Sequence, residues 1–216
     1  MDYTEVVTDV KPTRNRRTEQ AEATRRRVLD AAIRLFVENG FHVTTIEAIA
    51  GEADVSVETI YKRFGSKVGL LKAARDMTVE GAPESEVFFQ FPAPQAAAAL
   101  RSSSEPEAQL RALADFSARR LERLAPFHRM LRSAGTGDPA LAEFIAADHR
   151  ARRERQQEHI ATVVASGATR LGLTEASDTY ATLASPDTYL VFVDQFGWSP
   201  KRYRTWLADT MVRLVL

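Results

Sequence analysis

The sequence predicts an all-α fold: an N-terminal three-helix unit containing a helix-turn-helix, followed by a larger helical region. Three observations predict it. Apolar residues recur at three- and four-residue spacing through most of the chain. Such stretches are entered through a Ser, Thr or Asp able to cap a helix, several with proline in the first turn. Within residues 44–71 (TTIEAIAGEADVSVETIYKRFGSKVGLL), two short helical stretches meet at a tight turn, and a longer helix starts directly behind them.

Residues 1–17 lack periodicity and are expected to form a flexible basic arm. From Lys11 to Arg27 there are seven basic residues (Lys11, Arg14, Arg16, Arg17, Arg25, Arg26, Arg27) against two acids, Glu19 and Glu22. Two readings stand for the arm. It is a solubilising tail, or Arg14, Arg16 and Arg17 reach into a minor groove of DNA. A helix is predicted over Ala23–Glu38, with an inward stripe of Val28, Ala31, Ala32, Leu35 and Phe36. Asn39-Gly40 stops it, and Phe41 and Val43 are expected to close the small core.

Thr44-Thr45-Ile46-Glu47 has the pattern of a capping box, with Thr44 as the cap. Ile46, Ile49 and Ala50 then face inward, and Glu52–Val55 make the turn. Ser56 caps the next helix, whose inward residues are Ile60 and Phe64. Val57, Glu58, Thr59, Tyr61, Lys62 and Arg63 are left outside, an odd mixture for a plain solvated face. Gly65 ends this helix. Ser66 caps a linking helix that runs to about Glu80. The expected division is therefore 1–17 arm, 18–65 helix-turn-helix domain and 66–216 helical domain, with 66–80 as its linking helix.

Behind Gly81-Ala82-Pro83, residues 82–104 read as a loop with one short helix, and Phe88, Phe89 and Phe91 are expected to pack on the larger domain. Ser104–Glu107 reads as a second capping box, and the helix that follows is expected to be interrupted at Pro126. Asp138-Pro139 caps a long helix reaching Gly167 or Leu171. Its apolar stripe (Leu141, Phe144, Ile145, then Ile160, Val163, Val164) is interrupted by Asp148, His149, Arg152, Gln156 and His159. That interruption is either a solvated, ion-paired middle turn or the polar wall of a cavity. In the cavity reading Asp148, His149 and Arg152 face a ligand, and Phe88, Phe116, Phe127 and Phe144 supply apolar wall. The alternative fate of those aromatics is ordinary core. Thr174 is read as capping a helix broken at Ser185-Pro186, and Ser199-Pro200 as capping the last. Tyr203, Trp206, Leu207, Thr210, Met211 and Leu214 make one apolar face there. It packs on its own domain or against a second copy; the candidate dimer residues are Tyr189, Phe192, Tyr203, Trp206, Thr210, Met211 and Leu214.

Composition sets bounds. The 216 residues are 44% hydrophobic, ample for a core, and no apolar run approaches the ~20 residues of a bilayer span. A polar, basic N-terminus lacks the apolar stretch of a signal peptide, so a cytoplasmic address is expected. With no cysteine there is no disulfide or thiolate metal site. The four histidines (His42, His128, His149, His159) are scattered, and no nucleophile triad or glycine-rich phosphate loop is visible. No catalytic residue, metal or cofactor is therefore assigned. Net charge is zero, but residues 11–75 carry 13 basic and 8 acidic residues, while 76–216 carry 16 and 18. The local field over the first segment, rather than the total, would steer an encounter with DNA.

The run Val28-Leu29-Asp30-Ala31-Ala32, Leu35-Phe36, Gly40-Phe41, Thr44-Thr45-Ile46, Ile49-Ala50, Ala53, Val55-Ser56, Thr59-Ile60-Tyr61, Phe64, Ser66-Lys67, Leu70-Leu71 resembles, through its joint spacing, the DNA-binding domain of the tetracycline-repressor (TetR) family of bacterial regulators. The resemblance implies that Thr44 and Thr45 touch phosphate, that Ser56, Val57, Glu58, Thr59, Tyr61 and Lys62 face the major groove, and that Tyr61 and Lys67 hold the DNA backbone. Glu58, Lys62-Arg63 and Gly69 depart from common family choices. It also implies a homodimer on a palindromic operator, paired through C-terminal helices. The expected function is a ligand-responsive regulator, a repressor by preference, with double-stranded DNA, a second copy and a small-molecule effector as partners and no membrane. Two alternatives remain at this level: a helical carrier or enzyme with a vestigial DNA module, and a non-specific architectural DNA-binding protein.

Overall fold

The computed structural model describes residues 16–80, 105–134 and 137–216, and among these every regular element is helical. In chain order they are α1 (Arg16–Asn39), α2 (Ile46–Ala53), α3 (Val57–Phe64), α4 (Lys67–Glu80), α5 (Pro106–Ala134), α6 (Pro139–Val164), α7 (Leu173–Leu183), α8 (Pro186–Leu190), which runs on into a single π-turn at Val191–Gln195, and α9 (Pro200–Val215). The expected loop at 82–104, with Phe88, Phe89, Phe91 and Ser104, lies outside the described residues, as does Arg14.

α1 begins at Arg16, well before Ala23, so Arg16 and Arg17 belong to a helix and not to a flexible arm. The extra turns are strong helix formers (Arg, Glu, Gln, Ala), and propensity suffices there without an apolar stripe. Val28, Leu29, Ala31, Ala32 and Phe36 are buried, Leu29 completely so although it lies outside the predicted stripe. The helix stops at Gly40, whose φ of +84° is left-handed and suits glycine. Phe41 joins the core, but Val43 is 73% exposed and closes nothing.

Two hydrophobic cores organise the chain. The first gathers α1–α4 around Phe36, Ile49, Ile60, Leu70 and Leu71 and takes in Phe127, Met130 and Leu131 of α5 with Leu141 and Phe144 of α6. It therefore continues past residue 65 and ties the helix-turn-helix unit to the body. The second joins α5 to α6–α9 through Leu110, Leu113, Ile160, Val163, Tyr180, Tyr203, Leu207 and Met211. At its centre the Tyr180 and Ser117 hydroxyls lie 2.6 Å apart, and the Tyr203 hydroxyl donates to the Leu183 carbonyl at 2.7 Å, so both buried phenols are satisfied.

Three local readings need correction. α5 passes through Pro126 unbroken. Proline removes one helical donor, but Leu121, Leu124 and Ala125 before it and Phe127, Met130 and Leu131 after it are all buried, and that burial outweighs the loss. α7 starts at Leu173 with Gly172 as its cap, placing Thr174 in the first turn instead of at the cap. α6 ends at Val164, short of Gly167, whose φ of +74° closes the turn. The caps of Asp138 and Ser199 form as expected, and at the expected break Ser185 caps a new helix; each side chain accepts from a first-turn amide, with proline directly after the cap.

Candidate nucleic-acid interface and an arginine-lined cavity

α3 is held from both ends. Ser56 accepts from the Thr59 amide at 3.3 Å, and its hydroxyl lies 3.1 Å from that of Thr59. Behind it, Asp54 adopts the left-handed region with φ 53°, which a short polar side chain tolerates best among non-glycine residues. The Val55 amide returns to the Ala50 carbonyl at 3.0 Å, closing the turn. Gly65 terminates α3 with φ +75°, donating to the Tyr61 carbonyl at 2.8 Å. Ile60 is buried, while Ser56, Glu58, Thr59, Tyr61, Lys62 and Arg63 are exposed on one continuous surface. The Glu58 carboxyl sits below its ordinary range, held there by its own amide and by the Ser56 hydroxyl, so it stays ionised and acts as an acceptor. Arg63, left out of the predicted reading set, reaches Glu22 of α1 at 3.3 Å and shares that surface. Half-buried Arg25 and exposed Arg16 lie along α1.

Several expected contacts fall elsewhere. Thr45, not Thr44, caps α2, accepting from the Ala48 amide at 3.1 Å. Thr44 is only 3% exposed, and its hydroxyl lies 2.9 Å from the Leu35 carbonyl and 2.8 Å from that of Gly40. Its side chain closes the end of α1 and cannot touch phosphate. Val57 is half-buried and packs on the first core, so it faces a groove only in part. Lys67 is half-buried, with Nζ 4.5 Å from the Phe41 ring centroid and 3.4 Å from the His42 carbonyl. Burial pulls its pKa down.

A second constellation lies in the body. A cavity of about 40 Å³ opens between α4, α5, α6 and α7. Its wall combines Phe116, Leu121, Leu124, Phe127 and Tyr180 with Arg75, Arg120, Arg152, Arg155 and a single carboxylate, Asp148. Asp148 is already engaged, 3.0 Å from Arg75 Nη2 and 3.9 Å from Arg152 Nη1. Arg75 also contacts Asp76 at 3.1 Å, yet its Nε is buried without a partner. Burial, then the neighbouring Arg155, push Arg120 down to about 10, with Asp148 opposing. His128 and His159 also line the wall; burial, then nearby arginines, hold them neutral at about 4 and about 3. Of the predicted ligand residues, Phe116, Phe127, Asp148 and Arg152 are on this wall. Phe144 is in the first core, and His149 is exposed and lines a separate open groove with Arg153 and Asp178, so neither is on the cavity wall. Arg75, Arg120, His128 and Tyr180 were not anticipated.

The predicted dimer set also divides. Tyr189, Tyr203 and Met211 are at most 2% exposed and are consumed by the chain's own core, because α9 lies along α5. Phe192, Trp206 and Thr210 are half-buried, and Leu214 is 48% exposed beside them. Phe196, 62% exposed, packs edge-on to Phe192 with ring centroids 5.6 Å apart.

A cap-pinned exposed helix set at a tight turn against a partner of equal length, beside a basic first helix, defines a helix-turn-helix unit of the DNA-binding class. Residues 28–74 match the family model described as bacterial regulatory proteins, tetR family, so this segment is a DNA-binding module of that family. It is 46% identical over 50 residues to the uncharacterized HTH-type transcriptional regulator YvkB of Bacillus subtilis, covering 23% of this chain and 26% of that protein. The chain thus matches about a quarter of the length of such curated relatives. Over the whole fold it is similar to the crystal structure of NalD, the secondary repressor of the MexAB-OprM multidrug efflux pump in Pseudomonas aeruginosa, with a TM-score of 0.66 at 22% identity, covering 92% of this chain and 98% of NalD. A regulator from Saccharomonospora viridis crystallised in complex with choline gives a TM-score of 0.64 at 22% identity, covering 91% and 98%. Among the described residues no helix is long and apolar enough to cross a membrane.

Proposed function

We propose that the chain is a homodimeric, ligand-responsive transcriptional repressor that binds a palindromic operator, each protomer laying α3 in a major groove. The observation that carries this is the exposed row Ser56, Glu58, Thr59, Tyr61 and Lys62 on a helix whose start, end and inner face are all fixed. Base edges are read by donors and acceptors held in register, and this row supplies both. Thr45, Arg25 and Arg63 stand where phosphates flank such a helix. One eight-residue helix gives weak binding, so two copies spaced about 34 Å apart are required. The pairing surface in this proposal is what the second core leaves open: Phe192, Phe196, Trp206, Thr210 and Leu214. Release by a small molecule in the body is supported by the arginine-lined cavity and by the choline-bound structural neighbour.

The test is a footprint and mobility-shift titration on DNA upstream of the chain's own gene. Specific protection of a two-fold symmetric site is expected, and Thr59→Ala with Tyr61→Ala should abolish it while leaving the helical circular dichroism unchanged. Specific binding by the double variant equal to that of the parent would refute the assignment of α3. Binding that falls steeply with salt but ignores sequence would replace the regulator with an architectural role.

A further inference from the structure

The cavity chemistry specifies more than the presence of a ligand. Among the described residues, four guanidinium groups and two neutral histidines face one carboxylate, and that carboxylate is already shared between Arg75 and Arg152. Arg120 and Arg155 form no ion pair among the described residues, and Arg155 stands close enough to disfavour the charge on Arg120. A largely buried cation such as Arg120 is expensive without a counter-ion of its own, and a second cation beside it adds to that cost unless an anion enters. The orphaned Nε of Arg75 is a further buried donor at the same wall. Opposite these groups the lining is hydrocarbon and aromatic: Phe116, Leu121, Leu124 and Phe127. A cationic ligand would add to the positive charge, and a neutral apolar one would leave the guanidinium donors unmatched. The space is small, about 40 Å³, which disfavours a bulky polycyclic molecule without rearrangement.

We propose that this cavity binds a compact carboxylate, its anionic head between Arg120 and Arg75 and its short hydrocarbon or single-ring body against Phe116, Leu124 and Phe127. This rests on the reading of the chain as a ligand-responsive regulator, but its test does not require DNA. Charge-assisted hydrogen bonds to a planar guanidinium are shorter and stronger than neutral ones, and two guanidinium groups match the two carboxylate oxygens.

The experiment is calorimetric titration of the full-length protein, in chloride-free buffer, with propionate, butanoate and benzoate, each beside its primary amide, and with benzylamine, inorganic phosphate and chloride as further arms. At least one carboxylate is expected to bind roughly tenfold or more tightly than its amide, and no binding of benzylamine is expected. Arg120→Met, which keeps the stem but removes the charge, should erase the preference for carboxylate over amide, and Arg120→Lys should restore part of it. Equal binding of every carboxylate and its amide, or binding no tighter than that of chloride, would overturn the proposal. So would tighter binding of phosphate than of any carboxylate, because the apolar wall would then have no role. The comparison of acids with amides uses the parent protein alone, so a misfolded variant cannot decide the outcome. A carboxylate that binds a protein showing no operator footprint would retain this site and remove the regulator. A footprint without carboxylate preference would do the reverse.

Discussion

Replacing Gly69 with alanine separates two physical effects of opposite sign. In a helix interior glycine costs about 1 kcal/mol relative to alanine, so propensity alone says that Gly69→Ala stabilises α4. Geometry says otherwise. A Cβ built at position 69 would overlap the Phe64 carbonyl oxygen and lie 3.3 Å from the Phe64 carbonyl carbon and 3.4 Å from Ser66 Oγ. The obstacle is the backbone at the end of α3, not the far end of a flexible side chain, so relief requires the start of α4 to move away from the reading helix. That motion is opposed by Leu70 and Leu71, both with no exposure, which anchor the same turn in the first core. Forced overpacking of this kind costs about 1–3 kcal/mol. Set against the propensity gain of about 1 kcal/mol, Gly69→Ala should destabilise the protein by up to about 2 kcal/mol. Gly51 provides the control, since a Cβ there meets nothing within 4 Å and Gly51→Ala should stabilise by about 0.5–1 kcal/mol. Urea denaturation of the parent and the two variants, followed by circular dichroism, gives both signs in one experiment. A Gly69→Ala protein as stable as Gly51→Ala would refute the claim that α3 and α4 meet this closely.

Two further outcomes follow from the same structure. Thr44→Val keeps the side-chain shape but removes a buried hydroxyl from the Leu35 and Gly40 carbonyls, and should cost about 1–2 kcal/mol in urea denaturation. DNA affinity of the folded variant should be unchanged; a large loss of affinity with parental stability would reinstate Thr44 as a contact. Stability should also decline in mild acid, because His128 and His159 are held neutral with folded pKa values of about 4 and about 3, below the ordinary 6.5. The unfolded chain takes up those protons first, so the contribution is complete above pH 6.5 and is lost as pH falls towards those folded values. Denaturation midpoints at pH 7.5 and 5.0 check this, and His128→Asn should shrink the difference. Equal midpoints in the parent would contradict the buried, neutral state.

What the sequence made legible was governed by short-range demands. Ser56, Ser66, Asp138 and Ser199 were readable as helix starts because a cap serves amides two or three residues away. Thr44 was misread for the complementary reason. Two adjacent threonines precede Ile46, and Glu47 completes a box with the first of them, but the carbonyls that need a donor belong to Leu35 and Gly40 at the end of another helix. The face of α9 was legible as a stripe, but a stripe does not name what covers it. Tyr203, Leu207 and Met211 went to α5, and only the flank with Trp206 and Leu214 was left over. In the cavity, Asp148 and Arg152 announced themselves as charges on an apolar stripe. Arg120 carried the same signal without being noticed, since it sits at helical spacing from inward-facing Ser117 and Leu124. Arg75 had no such signal, because its partner Asp148 lies on another helix, far along the chain.

The position of Arg75 joins the two constellations. Six residues, about 9 Å of helix, separate it from Gly69 along α4, the element that packs on α1 and α3 at one side and on α5 and α6 at the other. Leu70, Leu71 and Ala74 are fully buried between these two points, so the segment moves as one body or not at all. A bound anion can shift the protein between two arrangements only if it binds one of them better. The contact that can differ is the pair of Arg75 with Asp148: the proposed carboxylate ligand would compete with Asp148 for the same guanidinium and so change how α4 is tied to α6. Because the start of α4 is fitted so closely to the end of α3 that a methyl group would not pass between them, a shift of α4 along or about its axis must be shared by the reading helix. The glycine at 69 therefore sets more than local packing: it makes the distance between the cavity and the DNA-facing surface short in mechanical terms.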